Sequence, residues 1–221
     1  MEYVVQIESI KPVTHNVRCI RLPKPANYTF VPGQATDVAI NRPSWKDQKR
    51  PFTFTSLNDD DYLEFTIKCY DDHDGVTHQM GLLHEGDELI IEEPWGAIAY
   101  KGEGYFIAGG AGITPFMAIL RQLHKDNRLG NNKLFFANRT STDIIYEQEL
   151  QAYLGKNVIF IITRQDAGTY LKGYLDEEFL ETYVQTFDKC FYLCGPDQMI
   201  QRIACVLSQH GADPQSVLFE T

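Results

Sequence analysis

The chain holds no apolar run approaching the roughly 20 residues that a membrane-spanning helix needs. Its opening, MEYVVQIESIKPV, alternates like a strand and lacks the basic-then-apolar layout of a secretory leader. These two absences lead to the expectation of a cytoplasmic protein with no membrane partner. Cysteine is scarce and scattered: Cys19, Cys69, Cys190, Cys194 and Cys205 are odd in number, which argues against a disulfide framework. They also lack the closely spaced run of a plant-type iron–sulfur domain. Cys190 and Cys194 have neither the spacing nor the neighbours of a metal site, and the six histidines are dispersed, so no metal is expected. Basic residues are outnumbered, and the formal net charge of -10 makes nucleic acid an unlikely global partner. No internal repeat or low-complexity tract is present.

What remains is ordinary for a soluble globular chain: 43% hydrophobic and 23% charged residues over 221 positions, enough for two modest domains with separate cores. The two halves differ in period. From Met1 to about Tyr100 the apolar pattern is short and mostly period two. Strands are expected at Tyr3–Ile7, Val17–Leu22, Ala35–Ile40, Tyr62–Lys68 and Glu88–Glu92. Turns fall at Lys24-Pro25, Pro32-Gly33, Asn58–Asp61 and Glu85–Asp87. Many short strands with such turns predict an antiparallel barrel or sandwich. After Lys101-Gly102-Glu103-Gly104 the rhythm changes. Buried strands at Tyr105–Ala108, Lys133–Ala137, Val158–Ile162, Phe191–Cys194 and Ser216–Phe219 alternate with helices at Thr114–His124, Asp143–Leu154 and Pro196–His210. That alternation predicts a doubly wound parallel sheet, with the boundary near residue 101.

Two motifs carry the chemistry. Gly109-Gly110-Ala111-Gly112-Ile113-Thr114-Pro115 is a glycine turn that follows a strand and feeds a helix. Thr114 reads as an N-cap and Pro115 suits the first helical turn, so backbone N–H groups would face an anion such as pyrophosphate. No Gly-Lys-Ser/Thr follows, which excludes a P-loop. The string equally suits a strand-to-helix turn that binds nothing. Arg50-Pro51-Phe52-Thr53 offers a cation, a ring and a hydroxyl within four residues of a β region. Gly75-Val76-Thr77 is a weaker glycine turn with a hydroxyl, and Cys194-Gly195-Pro196 repeats the strand-tip arrangement later in the chain. The second strand of the α/β half ends in Asn138-Arg139-Thr140-Ser141 and the third in Thr163-Arg164. Two guanidiniums and a serine suit a 2′-phosphate, where an acidic residue would favour the free ribose hydroxyl of NAD. NADPH is therefore expected ahead of NADH, although both arginines also suit plain solvated loop ends.

Pro32-Gly33-Gln34, Arg50 to Thr53, Gly75 to Thr77, Gly110 to Pro115 and Cys194 to Pro196 stand in a fixed order over most of the chain. In that order the chain resembles the ferredoxin–NADP(+) reductase superfamily, in its compact form without a fused iron–sulfur domain. The resemblance implies a two-domain architecture. Residues 1–100 would form a six-stranded antiparallel barrel holding FAD, and residues 101–221 a parallel α/β domain holding the nicotinamide nucleotide. It implies that Arg50 holds a flavin phosphate, that Phe52 packs on the flavin, and that Thr53 hydrogen-bonds near the flavin N5. Pro51, Ile67 and Lys68 would complete the flavin surface, and Thr77 with the amides of Gly75 and Val76 would take the FAD pyrophosphate. Gly110, Ala111, Gly112, Ile113 and Thr114 would cradle the NADPH pyrophosphate, with Arg139, Ser141 and Arg164 at the adenosine end. Cys194, followed by Gly195 and Pro196, would stand beside the nicotinamide. Phe219 is the candidate aromatic cover of the flavin, and Glu220 a candidate proton relay or a solvated end.

Three residues depart from the family pattern. Phe52 replaces a commoner tyrosine, Ala111 replaces the threonine of a Gly-Thr-Gly turn, and Phe219 is not terminal. The implied function is transfer of electrons from NADPH through FAD to a one-electron carrier, a ferredoxin, a flavodoxin or an oxygenase component, by a monomeric enzyme. A free-flavin or ferric reductase is an alternative, as is an FAD-binding subunit with no NAD(P)H turnover. Arg42, Lys46, Lys49 and Arg50 form a local basic stretch that could steer an acidic partner, or serve only as a solvated loop.

Overall fold

A computed structural model describes residues 1–70, 74–96, 98–164, 167–213 and 217–219, the last three by backbone alone. It divides into two compact units. The first comprises Met1–Ala99 with Met117–Gln122, and the second comprises Tyr100–Phe116 with Leu123–Thr221.

The first unit holds β1 (Tyr3–Gln6), β2 (Ser9–Thr14), β3 (Val17–Pro23), β4 (Ala35–Ile40), β5 (Arg50–Thr53), β6 (Tyr62–Lys68), a short helix α1 (Val76–Gly81) and β7 (Glu88–Ile91). All its strand pairs are antiparallel, in the orders β1-β7-β4-β5 and β2-β3-β6. A single bridge between Phe54 and Phe65 links β5's continuation to β6. Both sheets bury alternate residues in one core, where Ile20, Leu22, Val38, Phe54, Leu63 and Phe65 are fully enclosed. The antiparallel character matches the period-two pattern. Among the described residues of this unit seven strands form, one more than the six-stranded barrel that the resemblance implies. The strand absent from the period-two reading is β2, an edge strand whose register shifts between Pro12 and Thr14 and whose residues stay half exposed. Proline cannot donate to a ladder, which confines it to such edges and hides the strand from a pattern search.

The second unit holds β8 (Gly104–Gly109), the two ends of α2 (Thr114–Lys125), whose Met117–Gln122 count with the first unit, β9 (Lys133–Asn138), α3 (Glu147–Leu154), β10 (Val158–Ile162), β11 (Leu171–Lys172), α4 (Glu177–Tyr183), β12 (Cys190–Cys194), α5 (Asp197–Gln209) and β13 (Val217–Phe219). Its six strands are all parallel in the order β11-β10-β9-β8-β12-β13. The chain winds outward from β8 through β9 and β10, then returns to β12 on the other side of β8. The strand order therefore reverses between β8 and β12. In open α/β sheets the carboxyl ends at such a reversal form the ligand crevice.

Two expected elements differ. The helix expected from Asp143 begins only at Glu147, because Tyr146 is left-handed (φ 54°) and interrupts it. Asp143 instead belongs to a three-ten turn at Ser141–Asp143, where its carboxylate accepts the N–H and hydroxyl of Thr140. The two-residue β11 and the seven-residue α4 were too short to carry a readable period.

Candidate functional site

The two glycine motifs of the second unit meet at the reversal point. Cys194 of β12 pairs with Ala108 of β8, so the turns that follow are side by side. Their contact is closer than any side chain allows. A Cβ on Gly112 would lie 2.2 Å from the carbonyl oxygen of Cys194, and one on Gly195 would lie 3.0 Å from the Gly109 nitrogen. Gly112 and Gly195 are thus required by packing between the turns, whatever binds above them.

After β8 the chain makes a three-ten turn over Gly110–Ile113 and continues into α2. Here the expected cap is corrected. Thr114 is itself helical (φ -60°, ψ -43°), and its hydroxyl donates to the Ala111 carbonyl at 3.0 Å rather than accepting from the helix start. Gly109 occupies the capping position and has no side chain to offer. The first N–H groups therefore lack a side-chain acceptor, the condition under which a helix start takes an anion. Proline, tied to φ near −65°, still suits position 115 within the first turn.

The adjoining strand tips are bound together. Thr163 N–H donates to the Asn138 carbonyl at 2.9 Å, and Arg164 N–H donates to the Arg139 carbonyl at 3.0 Å. Arg139 and Arg164 thus leave neighbouring tips with exposed side chains, and neither guanidinium has an ion-pair partner among the described residues. Ser141 opens the three-ten turn beside them and is half-buried. Cys194, Gly195 and Ala111 are half-buried, Ile113 is enclosed, and Pro196 stands exposed as the capping residue of α5.

In the first unit, β5 is the edge of its sheet, pairing Thr53 with Ala35 and Arg50 with Val38. Arg50 and Pro51 are exposed, Thr53 is buried, and Phe52 is half-buried against the barrel core. Arg50 also donates to the Lys49 carbonyl at 2.8 Å. Gly75 caps α1 with extended backbone and no side-chain acceptor; Val76 is buried and Thr77 half-buried behind it. Ile67 lies in the core with 1% exposure, so its side chain faces no ligand and only its backbone is available. Lys68 reaches over the Tyr70 ring. The backbone of Phe219 forms the end of β13, while Glu220 lies outside the described residues.

The basic stretch is half neutralised. Arg42 pairs with Asp87 at 2.8 Å, and Lys49 is held by both Glu2 and Glu92, whose carboxylates push its ammonium well above the usual lysine range. Lys46 and Arg50 remain exposed.

Sequence reading missed one buried group. Glu64 on β6 is 2% exposed. Its Oε1 accepts Arg121 Nη1 at 2.7 Å and the Thr55 hydroxyl at 2.9 Å, and its Oε2 accepts Arg21 at 2.9 Å. Burial alone would raise its carboxyl, but the Arg121 charge and the hydrogen bonds from Arg121, Thr55 and Arg21 outweigh that and lower it. Partners 43 and 57 positions away leave no local signal. Among the described residues one further cluster, Glu177, Glu181 and His210, brings ligand-type atoms within 4.8 Å of one another. The histidine lies 3.7 and 3.6 Å from the two carboxylates, both of them exposed, and exposed acidic groups commonly gather around a histidine without an ion. Cys190 and Cys194 occupy opposite ends of β12, about 13 Å apart at strand rise, too far to share an ion. No helix of the described residues is long and apolar enough to cross a membrane.

Comparison with known proteins accounts for both units. The family pattern described as an FAD-binding domain matches residues 3–98, and that of an oxidoreductase NAD-binding domain matches residues 106–204. The reductase component of propane 2-monooxygenase from Mycolicibacterium smegmatis is 26% identical over 98% of this chain and 66% of its own length. This chain therefore spans about two thirds of that relative. NADH-cytochrome b5 reductase 3 of Mus musculus is 26% identical over 92% of the chain and 79% of its own length. The same fold occurs in a ferredoxin NADP+ reductase from Neisseria gonorrhoeae with bound FAD and NADP, with a TM-score of 0.86 at 18% identity over 99% of this chain and 98% of that one.

Proposed function

The chain belongs to the ferredoxin–NADP(+) reductase superfamily, and on that footing we propose that it is an FAD-dependent oxidoreductase that passes electrons from NADPH to a one-electron carrier protein. The observation that carries this reading is the pair of interlocked glycine turns at the point where the parallel strand order reverses. The fit is good: an uncapped helix start at the reversal of strand order suits a dinucleotide pyrophosphate. FAD, when bound, supplies the two-electron to one-electron redox chemistry; the protein supplies binding, orientation and electrostatics.

On this reading the amides of Gly110 to Ile113 hold the nicotinamide nucleotide's pyrophosphate, with the Thr114 hydroxyl bracing the turn through Ala111. Cys194, Gly195 and Pro196 form the wall for the nicotinamide, where the half-buried Cys194 side chain helps to exclude water. Arg50 takes a flavin phosphate, and Pro51, Phe52, Thr53 and Lys68 line the flavin surface, with Ile67 contributing backbone only. The uncapped start of α1 at Gly75, Val76 and Thr77 takes the FAD pyrophosphate. Thr53, nearly enclosed, offers a fixed hydroxyl to orient the reacting ring. The final strand's Phe219 and the following Glu220 keep their proposed places as cover and relay.

The choice of NADPH rests on the guanidiniums of Arg139 and Arg164 at adjacent tips with Ser141 beside them, the nearby Asp143 carboxylate being engaged by the Thr140 N–H and hydroxyl. The mouse relative is named for NADH, which makes coenzyme choice the sharper test. The carrier is a ferredoxin, a flavodoxin or an oxygenase component, approached through Lys46 and Arg50 in a monomeric cytoplasmic enzyme. The test is steady-state reduction of ferricyanide. Wild type should prefer NADPH, and Arg139→Ala/Arg164→Ala should lose about 100-fold in kcat/KM with NADPH, from two charge-assisted contacts at about tenfold each, while barely changing with NADH. Equal losses with both coenzymes would refute the assignment.

A further inference from the structure

The parallel sheet of the second unit has a concavity at the end opposite the glycine turns, where β9, β10 and β12 begin. Its volume is about 410 Å³, within the range that holds small-molecule ligands. Three lysines line it: Lys133 opens β9, Lys156 lies in the turn before β10, and Lys189 directly precedes β12. Among the described residues no carboxylate lines it, in a chain that carries 30 acidic and 20 basic side chains. The floor is apolar and fixed. Ile159 and Tyr183 pack against the core of the unit, and the Tyr183 ring rests on Phe179 at 4.6 Å. The carboxamides of Asn157 and Gln185 complete the wall, and the Gln185 N–H anchors that segment by donating to the Tyr105 hydroxyl at 2.9 Å.

The place of Lys133 sets it apart from a solvated rim. It shares its face of β9 with Phe135 and Ala137, which belong to or pack on that core. An ammonium drawn toward a core face loses water, and a carboxylate is the usual compensation. Neither Lys133 nor Lys156 has an ion-pair partner among the described residues. Lys189 lies 3.6 Å from Glu103, whose other oxygen accepts the Asn131 N–H at 2.9 Å. Like charges gathered in one concavity repel each other, and a bound anion reverses that cost. Ammonium groups are point charges that impose no geometry on an anion, and carboxamides add neutral donors. We propose that this cavity binds a compact polyanion, one that carries two or more charges on phosphate or carboxylate groups. Lys133 and Asn138 close opposite ends of β9, about 17 Å apart at strand rise, so the site is separate from the glycine turns and independent of what they hold.

Calorimetric titration of the flavin-loaded, full-length protein with pyrophosphate and, separately, with citrate tests the site. Saturating NADP+ is present to occupy the arginine-bearing strand tips. Wild type should bind at least one of the two anions with a dissociation constant of about 1 mM, from three charge-assisted contacts at about tenfold each. Binding of pyrophosphate alone would mark phosphate as the recognised group, citrate alone would mark carboxylate, and both would mean that charge is read without geometry. Lys133→Gln/Lys156→Gln should weaken binding about 100-fold, whereas Lys133→Arg/Lys156→Arg should hold it within about threefold. Lys11→Gln, an exposed lysine of the first unit, should leave it unchanged. Lysines near the last turn of α4 also complement its dipole. If that were their only role, the glutamine pair would lower the thermal midpoint and leave anion binding intact, which would overturn the proposal. Wild type that bound neither anion would overturn it as well, even if it bound an acidic protein. An equal loss in Lys11→Gln would do the same, by reducing the effect to overall charge.

Discussion

Glu64→Gln is the substitution whose outcome follows most directly from geometry. One enclosed carboxylate meets two guanidiniums: Arg121, whose side chain is 18% exposed, and Arg21, which is 43% exposed and stacks on Tyr62 at 4.2 Å. Glutamine keeps the shape but removes the charge and turns an NH2 toward one set of donors. The Arg21 contact is solvent-screened and contributes little. The Arg121 contact does not have that relief, so the variant leaves a largely buried cation with no opposite charge. Breaking such a pair from one side costs about 3 kcal/mol or more. In a unit of about 100 residues that corresponds to about a 12 °C fall in the melting temperature, or more.

The pH dependence supplies a second check. The folded carboxyl of Glu64 is lowered below the ordinary glutamate value of 4.5. A group lowered on folding stabilises the protein above its unfolded value, and that contribution is lost as pH falls through the folded value. The gap between wild type and Glu64→Gln should therefore be full at pH 7 and narrow below about pH 4.5. Calorimetric melting across pH 3 to 8 measures both quantities. A fall of under 2 °C at pH 7, or a gap that does not narrow in acid, would refute the reasoning.

Two glycine substitutions in the second unit separate close packing from backbone strain. Gly112→Ala must displace the Cys194 carbonyl that would lie 2.2 Å from the new carbon, so it should cost about 3 kcal/mol and weaken NADPH binding together. Gly155→Ala meets open space and has only its left-handed φ of 54° to overcome, so it should cost about 1 kcal/mol with NADPH affinity unchanged, as denaturant melts and calorimetry would register.

Legibility followed the range of each interaction. The period-two strands β3, β4 and β6 and the apolar β8, β9, β10 and β12 were readable because their patterns are local. The turn at Gly109 to Gly112 was readable as chemistry, but the pattern could not show that Gly112 is fixed by Cys194, 82 positions later. Thr114 looked like a cap because threonine usually is one. The three-ten turn ahead of it moved the helix start back to Gly109. Tyr146 gave no warning that it would turn left-handed, and neither the buried ion pairs of Glu64 nor the lysine-lined cavity at the sheet's amino end can be inferred from spacing. The basic stretch from Arg42 to Arg50 was visible, yet its acidic partners Glu2, Asp87 and Glu92 come from other strands and loops.

The central claim is a flavin reduced by a nicotinamide nucleotide within this one chain. Anaerobic titration of the purified protein with NADPH, followed by visible absorption, tests it most directly. The account predicts a yellow protein that bleaches near stoichiometric NADPH and less readily with NADH. A yellow protein that stays oxidised with both would contradict it and leave a flavin-binding subunit without nicotinamide turnover.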